Sequence, residues 1–391
     1  MDLFEILNQS NYIFYFLVVD NFLDIQLPQL KNFHLIYAFS SPIFTSLRQQ
    51  QIPYFCLEEK NISLAQKNTG RLLSSPQVIN YINSTAGKKT PVIIPFKPSA
   101  KIEIICRQHN WICAAVSHQL NRFLENKNEF FNFCQKNNLP IIKGFIDKFN
   151  QSNFTKYQQK LDSKLVIQTH FGWAGNSTHL AENWHDVSDK IPSETTVKFS
   201  PLLQGYSLIN NCCLTSSGLI QSPPALQYTG LKTLTPNPFT TVGRQWPSMA
   251  PQNINQQVIK ITQEFSQLIK SLNYRGFFGL DFFVNQNSVY LLECNPRLTA
   301  SFAFYTRIEI NHSLNPLFLF HLAEFTNLNP HIDINQHQQL INQTDIIGSE
   351  ITLKNKSNQT IKKYNDFVAF SQSTNPVTIP PHIIDLLHET N

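Results

Sequence analysis

The sequence predicts an α/β (α+β) protein with an open parallel sheet, a second domain of mixed strands and helices, and a small β-rich C-terminal appendage. Three observations favour this class. Short apolar strands alternate with helical segments in residues 1–115, apolar residues recur at helical spacing over 255–272, and two apolar runs joined by a polar turn follow at 277–295. Alternating strands and helices are typical of a parallel sheet covered by helices, and two successive apolar runs are typical of a hairpin.

Five short apolar segments predict the first sheet because they are rich in aromatic and β-branched residues. The pairs Ser41-Pro42 and Ser75-Pro76 between them predict helix starts, since serine caps helices and proline fits the first helical position. No GxGxxG turn follows the first strand, so we expect no dinucleotide site there. The five segments are residues 12–19, 33–39, 53–57, 91–96 and 111–116.

Composition indicates a globular protein and excludes several other classes. Of the 391 residues, 42% are hydrophobic, and the net charge of +5 comes without any basic run, so no nucleic-acid partner is expected. The early apolar run 12–19 is too short to span a bilayer, and Asp2 and Glu5 precede it where a signal peptide would be positive. The seven cysteines form no CxxC pair. We therefore expect reduced thiols in a cytoplasmic protein without a membrane partner.

Glycine is concentrated in one part of the chain. Eight of the twelve glycines lie between residues 172 and 279, including two in the loop GWAGNST (172–178) that follows the strand-like segment 164–170. Further strands are predicted at 195–199 and 206–214. Glycine is favoured where the backbone must turn sharply or approach a ligand closely, so this region is the expected binding region.

The stretch YLLECNPRLTAS (290–301) ends an apolar run with a carboxylate, an amide and a guanidinium. Because side chains alternate across a strand, we expect Glu293 and Asn295 on one face and Leu292 and Cys294 packed on the other. Two oxygen donors about 7 Å apart along a strand suit a hard cation such as Mg²⁺. The competing interpretation is a strand that runs out into a solvated loop.

Asp281, on the preceding strand, offers a third oxygen donor. A hairpin loop with an odd number of residues would place Asp281 on the face of Glu293, whereas an even loop would need a bulge to do so. Pro296 cannot donate to a ladder and therefore ends the strand, and Arg297 follows directly. A cation site beside a guanidinium indicates phosphate binding.

These residues resemble those of a known family. The order FGLDFFV, then VYLLECNPRLTAS, is similar to the end of the ATP-grasp fold, where a G-x-D-F strand precedes an L-x-E-x-N-P-R strand. Three upstream segments resemble earlier parts of that fold in the same order. They are the helical opening NKNEFFNFCQKNNLP, the strand and glycine loop KLVIQTHFGWAGNSTH, and the hinge strand VKFSPLLQGYSLINNCCL.

The resemblance covers about residues 120–325 and implies a division into domains. We expect a Rossmann-like N-terminal domain at 1–116 and an ATP-grasp domain at 117–330, with a flexible lid at about 140–200. A β-rich appendage is expected at 331–391, where two strand-like pieces lie around the polar run NKSNQ.

The resemblance also implies ATP and Mg²⁺ as ligands, with Mn²⁺ as the alternative ion. Asp281, Glu293 and Asn295 would bind the metal ions that bridge the ATP phosphates, and Arg297 would stabilise the transferred phosphoryl group. A solvated lysine and an ordinary hairpin turn are the competing interpretations of Lys127 and of the loop 172–178. The expected nucleotide contacts are Lys127, Gln168, Gly172, Gly175, Ser177, Thr178, the backbone of Ser200, Pro201 and Leu202, and Ser207.

Two positions depart from the family pattern. Gln168 stands where a lysine is usual, and its neutral amide can hydrogen-bond a phosphate but adds no charge. Ser207 stands where an acidic ribose ligand is common. His170 shares the strand face of Gln168, and a buried structural histidine is the favoured interpretation. Arg244 and Lys232 are candidates for binding a substrate carboxylate, although solvated loop charges are the favoured interpretation.

The function that the resemblance implies is an ATP-dependent carboxylate–amine ligase. Such an enzyme activates a small acid or amino acid as an acyl phosphate, releases ADP and forms an amide or peptide-like bond with an amine. The expected partners are these small molecules, and a homo-oligomer is left open. One alternative is a biotin-carboxylase-like enzyme, although its Glu-His motif is absent near 225–245. The other is a nucleotide-binding protein without turnover, which the departures at 168 and 207 motivate.

Overall fold

The computed structural model describes residues 2–352 apart from 63, 65–66, 162–163, 173–174 and 329–331. Within these residues the chain forms a five-stranded, a seven-stranded and a four-stranded sheet, which confirms the α/β class. None of the helices in the described ranges is both long and apolar enough to cross a membrane. All seven cysteines lie in the described ranges and are free thiols, as expected.

The N-terminal sheet is parallel, in the order β3-β2-β1-β4-β5. Helices cover it, and one of them has Ser75 at its N-cap position and Pro76 as its first residue, as predicted. The Ser75 hydroxyl donates to the Gln77 side chain and accepts no N–H of the helix. The helix expected at Ser41 begins only at Phe44, with Ile43 at its N-cap position. The Ser41 hydroxyl donates to Asp24 at 2.8 Å and accepts from the N–H of Ile43 at 3.4 Å. The elements are α1 (Leu3–Gln9), β1 (Tyr12–Val18), β2 (Phe33–Tyr37), α2 (Phe44–Gln49), β3 (Tyr54–Cys56), α3 (Thr69–Leu73), α4 (Pro76–Ala86), β4 (Thr90–Pro95), α5 (Ala100–Gln108) and β5 (Ile112–Cys113).

Two helices lead from this sheet into the second domain: α6 (His118–Glu125) and α7 (Lys127–Lys136). The Asn126 side chain caps α7 by accepting from the N–H groups of Asn128 and Glu129. The helix predicted in the segment 126–140 ends at Lys136, before Pro140 as expected, and Asn138 has a left-handed backbone with φ of 56°. Asparagine tolerates this conformation, which a continuing helix cannot contain.

The four-stranded sheet, called the lid sheet below, is antiparallel in the order β6-β9-β7-β8. Its inward side chains, including Ile167, Val197 and Phe199, pack in a core of their own beneath one helix. The opposite face of β7 and β9 is therefore available to a ligand. The elements are β6 (Phe145–Lys148), α8 (Gln151–Leu161), β7 (Leu165–Thr169), β8 (Thr178–Ala181) and β9 (Thr196–Pro201).

The seven-stranded sheet, called the large sheet below, has the order β15-β14-β10-β12-β13-β16, with β11 paired to β10. The predicted strands at 206–214, 277–284 and 288–295 and the predicted helix at 255–272 are all present. The elements are β10 (Tyr206–Thr215), β11 (Gly218–Gln221), β12 (Ala225–Thr229), β13 (Thr241–Trp246), α9 (Gln252–Ser271), β14 (Gly276–Asn285), β15 (Ser288–Asn295), α10 (Phe302–Asn311), α11 (Leu317–Phe325), α12 (Ile334–Gln343) and β16 (Gly348–Ile351).

One hydrophobic core joins the N-terminal sheet to the large sheet. Phe16 of β1 meets Phe302 of α10 edge-on at 5.4 Å between ring centroids and Phe318 of α11 at 6.2 Å. Since α11 also packs on β10 and β14, the N-terminal sheet is held beside the strands that carry the predicted site.

The described part of the C-terminal segment consists of one helix and one strand. After α12, β16 pairs antiparallel with β13 and extends the large sheet, so the described part contains a helix that the sequence did not predict as well as a strand. The two strand-like pieces predicted around NKSNQ lie outside the described residues.

Candidate active site

A cleft of about 2120 Å³ lies between the lid sheet and the large sheet and extends to the N-terminal domain. Every residue proposed from the sequence lines it, although the residues come from distant parts of the chain. They are Lys127, Gln168, Gly172, Gly175, Ser177, Thr178, Ser200, Pro201, Leu202, Ser207, Asp281, Glu293, Asn295 and Arg297.

The three predicted metal ligands form one wall of the cleft, called the acidic wall below. The hairpin turn has an even number of residues, because Asn285 pairs with Ser288. A bulge then shifts the register, so that Asp281 pairs directly with Glu293. The same bulge brings Leu292 to the cleft. The expectation that Leu292 packs on the opposite side is therefore wrong, whereas Cys294 is buried as expected.

Hydrogen bonds hold the acidic wall in place. Asp281 accepts from Gln227 Nε2 at 2.7 Å through one oxygen and from Asn295 Nδ2 at 3.0 Å through the other. Asn295 in turn accepts from Arg297 Nη2 at 2.9 Å. Gln227, on β12, was not singled out from the sequence because only the sheet brings it beside Asp281.

The two carboxylates of the acidic wall have opposite pKa shifts. Burial and the charge of Glu293 raise the pKa of Asp281 to about 7. Burial alone would raise the pKa of Glu293 as well, but the ammonium group of Lys127, which contacts its carboxylate, lowers it to about 2. The charge of Glu293 therefore opposes ionisation of Asp281, and a cation beside Glu293 stabilises the pair.

This donor set fits a hard cation. Two facing carboxylates that cannot both ionise freely gain from a divalent ion, and the Asn295 amide oxygen has a second lone pair to offer. Among the described residues no group of three or more His, Cys, Asp and Glu side chains forms a metal site. An ion held by two carboxylates and an amide would therefore keep several waters, as Mg²⁺ usually does.

Arg297 is fixed at the edge of the acidic wall. Its Nε donates to Glu125 at 2.7 Å, its Nη1 donates to the carbonyl of Leu298 at 3.0 Å, and its guanidinium lies 4.7 Å from the ring centre of Phe96. Lys97 also contacts the Glu125 carboxylate. The orientation of the guanidinium is therefore set by α6 and by the N-terminal domain.

The opposite wall, called the lid wall below, consists of Val166, Gln168, Lys198 and Ser200 on β7 and β9. Gln168 donates to the hydroxyl of Thr178 at 3.2 Å. His170 is exposed and does not line the cleft, so its interpretation as a buried histidine is wrong.

The glycine loop closes the lid wall at one end. Gly175 has φ of 78°, and a Cβ there would lie 2.8 Å from the backbone of Phe239, so this position requires glycine. The loop is tied to its own strand, because Thr169 donates its N–H to Ser177 at 3.0 Å.

The backbone of residues 200–202, which is expected to contact the purine ring of the nucleotide, already forms a hydrogen bond within the protein. The N–H of Leu202 donates to Lys164 at 3.1 Å, and Pro201 has no N–H. The amide of Leu202 is therefore not available to a ligand, which corrects the sequence-based expectation for that group. Leu203 also lines the cleft, next to Leu202 and Pro201.

Two basic residues line the cleft although the sequence did not favour a role for either. Arg244 lies on β13, is only 11% exposed, lines the cleft and pairs with Glu350 at 2.7 Å. Its interpretation as a solvated loop charge is therefore wrong, while Lys232 does lie in a loop at the cleft.

Lys198 is directly opposite Gln168 in the β7–β9 ladder. The alternation of TTVKF is a signal that could have indicated a position outside the lid core for Lys198, but its neighbour on the next strand depends on strand pairing.

Comparisons with known proteins agree with this arrangement. Residues 124–301 match the family model described as an ATP-grasp domain. Among solved structures, N5-carboxyaminoimidazole synthetase from Staphylococcus aureus, complexed with ADP, is similar with a TM-score of 0.56 and 13% identity, covering 81% of this chain and 78% of that one. Biotin carboxylase from Campylobacter jejuni is similar with a TM-score of 0.60 and 13% identity, covering 82% and 72%. At these identities the similarity establishes the fold.

Proposed function

We propose that the protein is an ATP-dependent carboxylate–amine ligase, because residues 124–301 match the family model of the ATP-grasp domain. It activates a small carboxylic acid as an acyl phosphate, releases ADP and joins the acyl group to an amine. The observation that carries this proposal is the direct pairing of Asp281 with Glu293 beside Arg297, opposite a lid with a glycine loop.

The chemistry proceeds in two displacements. A carboxylate oxygen of the acid attacks the γ-phosphorus of ATP, and ADP leaves. The amine nitrogen then attacks the acyl carbon, phosphate leaves, and the nitrogen loses a proton. Phosphoryl transfer of this kind depends on positioning and on neutralising charge, which Arg297 and Lys127 can supply without forming a covalent bond.

The residues of the acidic wall support a bound Mg²⁺, or Mn²⁺ as the alternative. Asp281, Glu293 and Asn295 would hold the ion, which when bound neutralises negative charge on the phosphates. In the structure the ammonium group of Lys127 gives Glu293 its counter-charge. Loading the acidic wall with metal would leave the ammonium of Lys127 for the phosphates.

The acid and amine substrates have a separate region of the cleft available. Beyond the acidic wall, Arg244, Glu350 and Arg307 line the cleft up to Asp24 of the N-terminal domain. The pKa of Asp24 is raised to about 6 by burial. Its Oδ2 accepts from the Ser41 hydroxyl, whereas its buried Oδ1 accepts no hydrogen bond from the described residues. Guanidinium groups suit a substrate carboxylate and a carboxyl oxygen without a donor suits an amine, so both substrates can be recognised here.

A product assay tests this proposal. The protein is incubated with ATP, Mg²⁺ and panels of small acids and amines, and the nucleotides and organic products are identified by chromatography and mass spectrometry. We expect ADP and phosphate in equal amounts, with an amide formed only when acid and amine are both present. AMP as the main nucleotide product would contradict the acyl-phosphate route.

A second candidate follows from the structural similarity to biotin carboxylase. An enzyme of that kind would phosphorylate bicarbonate rather than an organic acid. The same assay distinguishes the two, because phosphate release that depends on bicarbonate and on no organic acid would favour this alternative.

A further inference from the structure

We propose that Lys198 supplies the positive charge that Gln168 lacks and that its ammonium group binds the phosphates of the nucleotide. This inference rests on the proposed function and goes beyond it, because it assigns the phosphate contact to a residue to which the motif order gives no role. Three observations carry it: strand register, burial and charge.

Strand register places Lys198 and Gln168 at equivalent positions. The two residues are direct partners in the antiparallel β7–β9 ladder, and both line the cleft. Their neighbours Ile167, Val197 and Phe199 point into the lid core instead. Directly opposed side chains on one face have Cβ atoms only about 5 Å apart, so a lysine on either strand can present its ammonium to the same part of the cleft.

Burial leaves the ammonium of Lys198 in need of a ligand. The residue is 7% exposed, and its Nζ lies 5.6 Å from the ring centre of Phe131. Within the described part of the chain its Nζ has no hydrogen-bond acceptor and no ion-pair partner. A buried ammonium group without such partners is costly, and burial accordingly lowers the pKa of Lys198 to about 8.

The surrounding charges leave Lys198 available to an anion. The nearest charged groups are Lys127 and Glu293, and these two contact each other. Cys134 lies beneath as a buried thiol whose pKa is raised by burial, so it is neutral. An anion with several oxygens that enters between the two walls would meet Lys198 from the lid side, opposite the proposed metal ligands.

Four variants and one control test the assignment. Lys198→Gln removes the charge, and Lys198→Met replaces it with an apolar chain of similar length. Gln168→Lys adds a second lysine, and the double variant Gln168→Lys/Lys198→Gln moves the lysine to the neighbouring strand. Lys148→Gln is the matched control, because Lys148 is an exposed lysine of the same sheet. Affinities for a non-hydrolysable Mg-ATP analogue and for adenosine are measured by calorimetry.

We expect both single changes at Lys198 to weaken binding of the ATP analogue about tenfold, because a charge-assisted phosphate contact is lost. Gln168→Lys alone should leave affinity unchanged or weaken it, since the new lysine faces Lys198. The double variant should regain most of the lost affinity, and Lys148→Gln should bind like the wild type. Adenosine should bind all variants equally.

Three results would overturn the proposal. Unchanged affinity for the ATP analogue in both Lys198 variants would remove Lys198 from the phosphate site while leaving the proposed function intact. An equal loss for adenosine would show that Lys198 shapes the purine pocket rather than binding phosphate. Absence of nucleotide binding by the wild type would reject this inference together with the proposed function. Unfolding of the unliganded variants is followed in parallel, and we expect no loss of stability.

Discussion

The two walls of the cleft satisfy their polar groups in different ways. On the acidic wall Asp281, Asn295 and Arg297 form a continuous set of hydrogen bonds, and Lys127 provides the charge that Glu293 requires. On the lid wall Lys198 is buried without an acceptor in the described residues. The acidic wall is thus organised by the protein itself, whereas the lid wall is completed only by a ligand.

Because the two walls differ in this way, substitutions on each wall should affect different properties of the enzyme. Preorganised donors and charges stabilise a transition state because they need no rearrangement when charge develops. We therefore expect changes on the acidic wall to affect turnover, and changes on the lid wall to affect nucleotide affinity. The predictions below test this contrast.

The largest expected effect is that of Glu293→Gln. We expect turnover to fall at least ~100-fold, on the order of 3 kcal/mol in the barrier, because the metal loses a carboxylate. Stability without nucleotide should change little, because Asp281 ionises more readily once the charge of Glu293 is gone and so offsets the lost contact with Lys127. The assay is ADP release under saturating substrates, with the exposed Glu264→Gln as control. Near-normal activity would reject the metal assignment.

The stability of the protein should depend on pH because of His321, a buried histidine that bonds to β14 of the acidic wall. His321 accepts the N–H of Phe277 through Nδ1 at 2.9 Å and donates through Nε2 to Ala114 at 3.0 Å, which links β14 to the N-terminal domain. Burial lowers the pKa of His321 to about 4. As the pH falls, His321 is protonated in the unfolded chain before it is protonated in the folded protein. The contribution of the neutral His321 to the free energy of unfolding is therefore complete above about pH 6.5 and decreases as the pH falls towards 4.

The expected loss from this histidine is about 2 kcal/mol between pH 7 and pH 5. Denaturant unfolding at both pH values measures it, and His321→Gln serves as the comparison because a neutral amide cannot titrate. If the wild type and the variant lose the same stability on acidification, the neutral buried histidine is not the cause.

A smaller effect on turnover is expected from Glu125→Gln, which weakens the contact that orients Arg297. We expect kcat to fall about tenfold while KM for ATP changes little, because the guanidinium acts when charge develops in the transition state. Lys97→Gln is the matched control, since it removes the exposed partner of the same carboxylate. A change confined to KM would place Arg297 in ground-state binding instead.

The smallest effect is expected on the lid wall, from Gly175→Ala. Its left-handed backbone and the nearby backbone of Phe239 disfavour a Cβ by roughly 1 kcal/mol, so affinity for Mg-ATP should weaken about fivefold with kcat preserved. Gly87→Ala is the control, because Gly87 also has a positive φ but a Cβ there meets no atom within 4 Å. Equal affinities for both variants and the wild type would exclude a role of the loop in nucleotide binding.

The strands that carry the acidic wall, and the chemical nature of its side chains, could be predicted from the sequence alone. Two apolar runs joined by a polar turn predicted β14 and β15, and the position of Glu293 and Asn295 two residues apart placed both on one face. The parallel N-terminal sheet followed in the same way from its short apolar strands. These features depend on local periodicity, which can be read from a single segment.

Which side chains of the cleft face each other depends on the tertiary structure. The bulge that pairs Asp281 with Glu293 also moved Leu292 to the cleft, and antiparallel pairing placed Lys198 opposite Gln168. Arg244 became part of the cleft because β16, about a hundred residues later in the chain, packs against β13 and brings Glu350 to it. Strand register and long-range pairing depend on contacts between all the strands of a sheet. They therefore cannot be predicted from the periodicity of one segment.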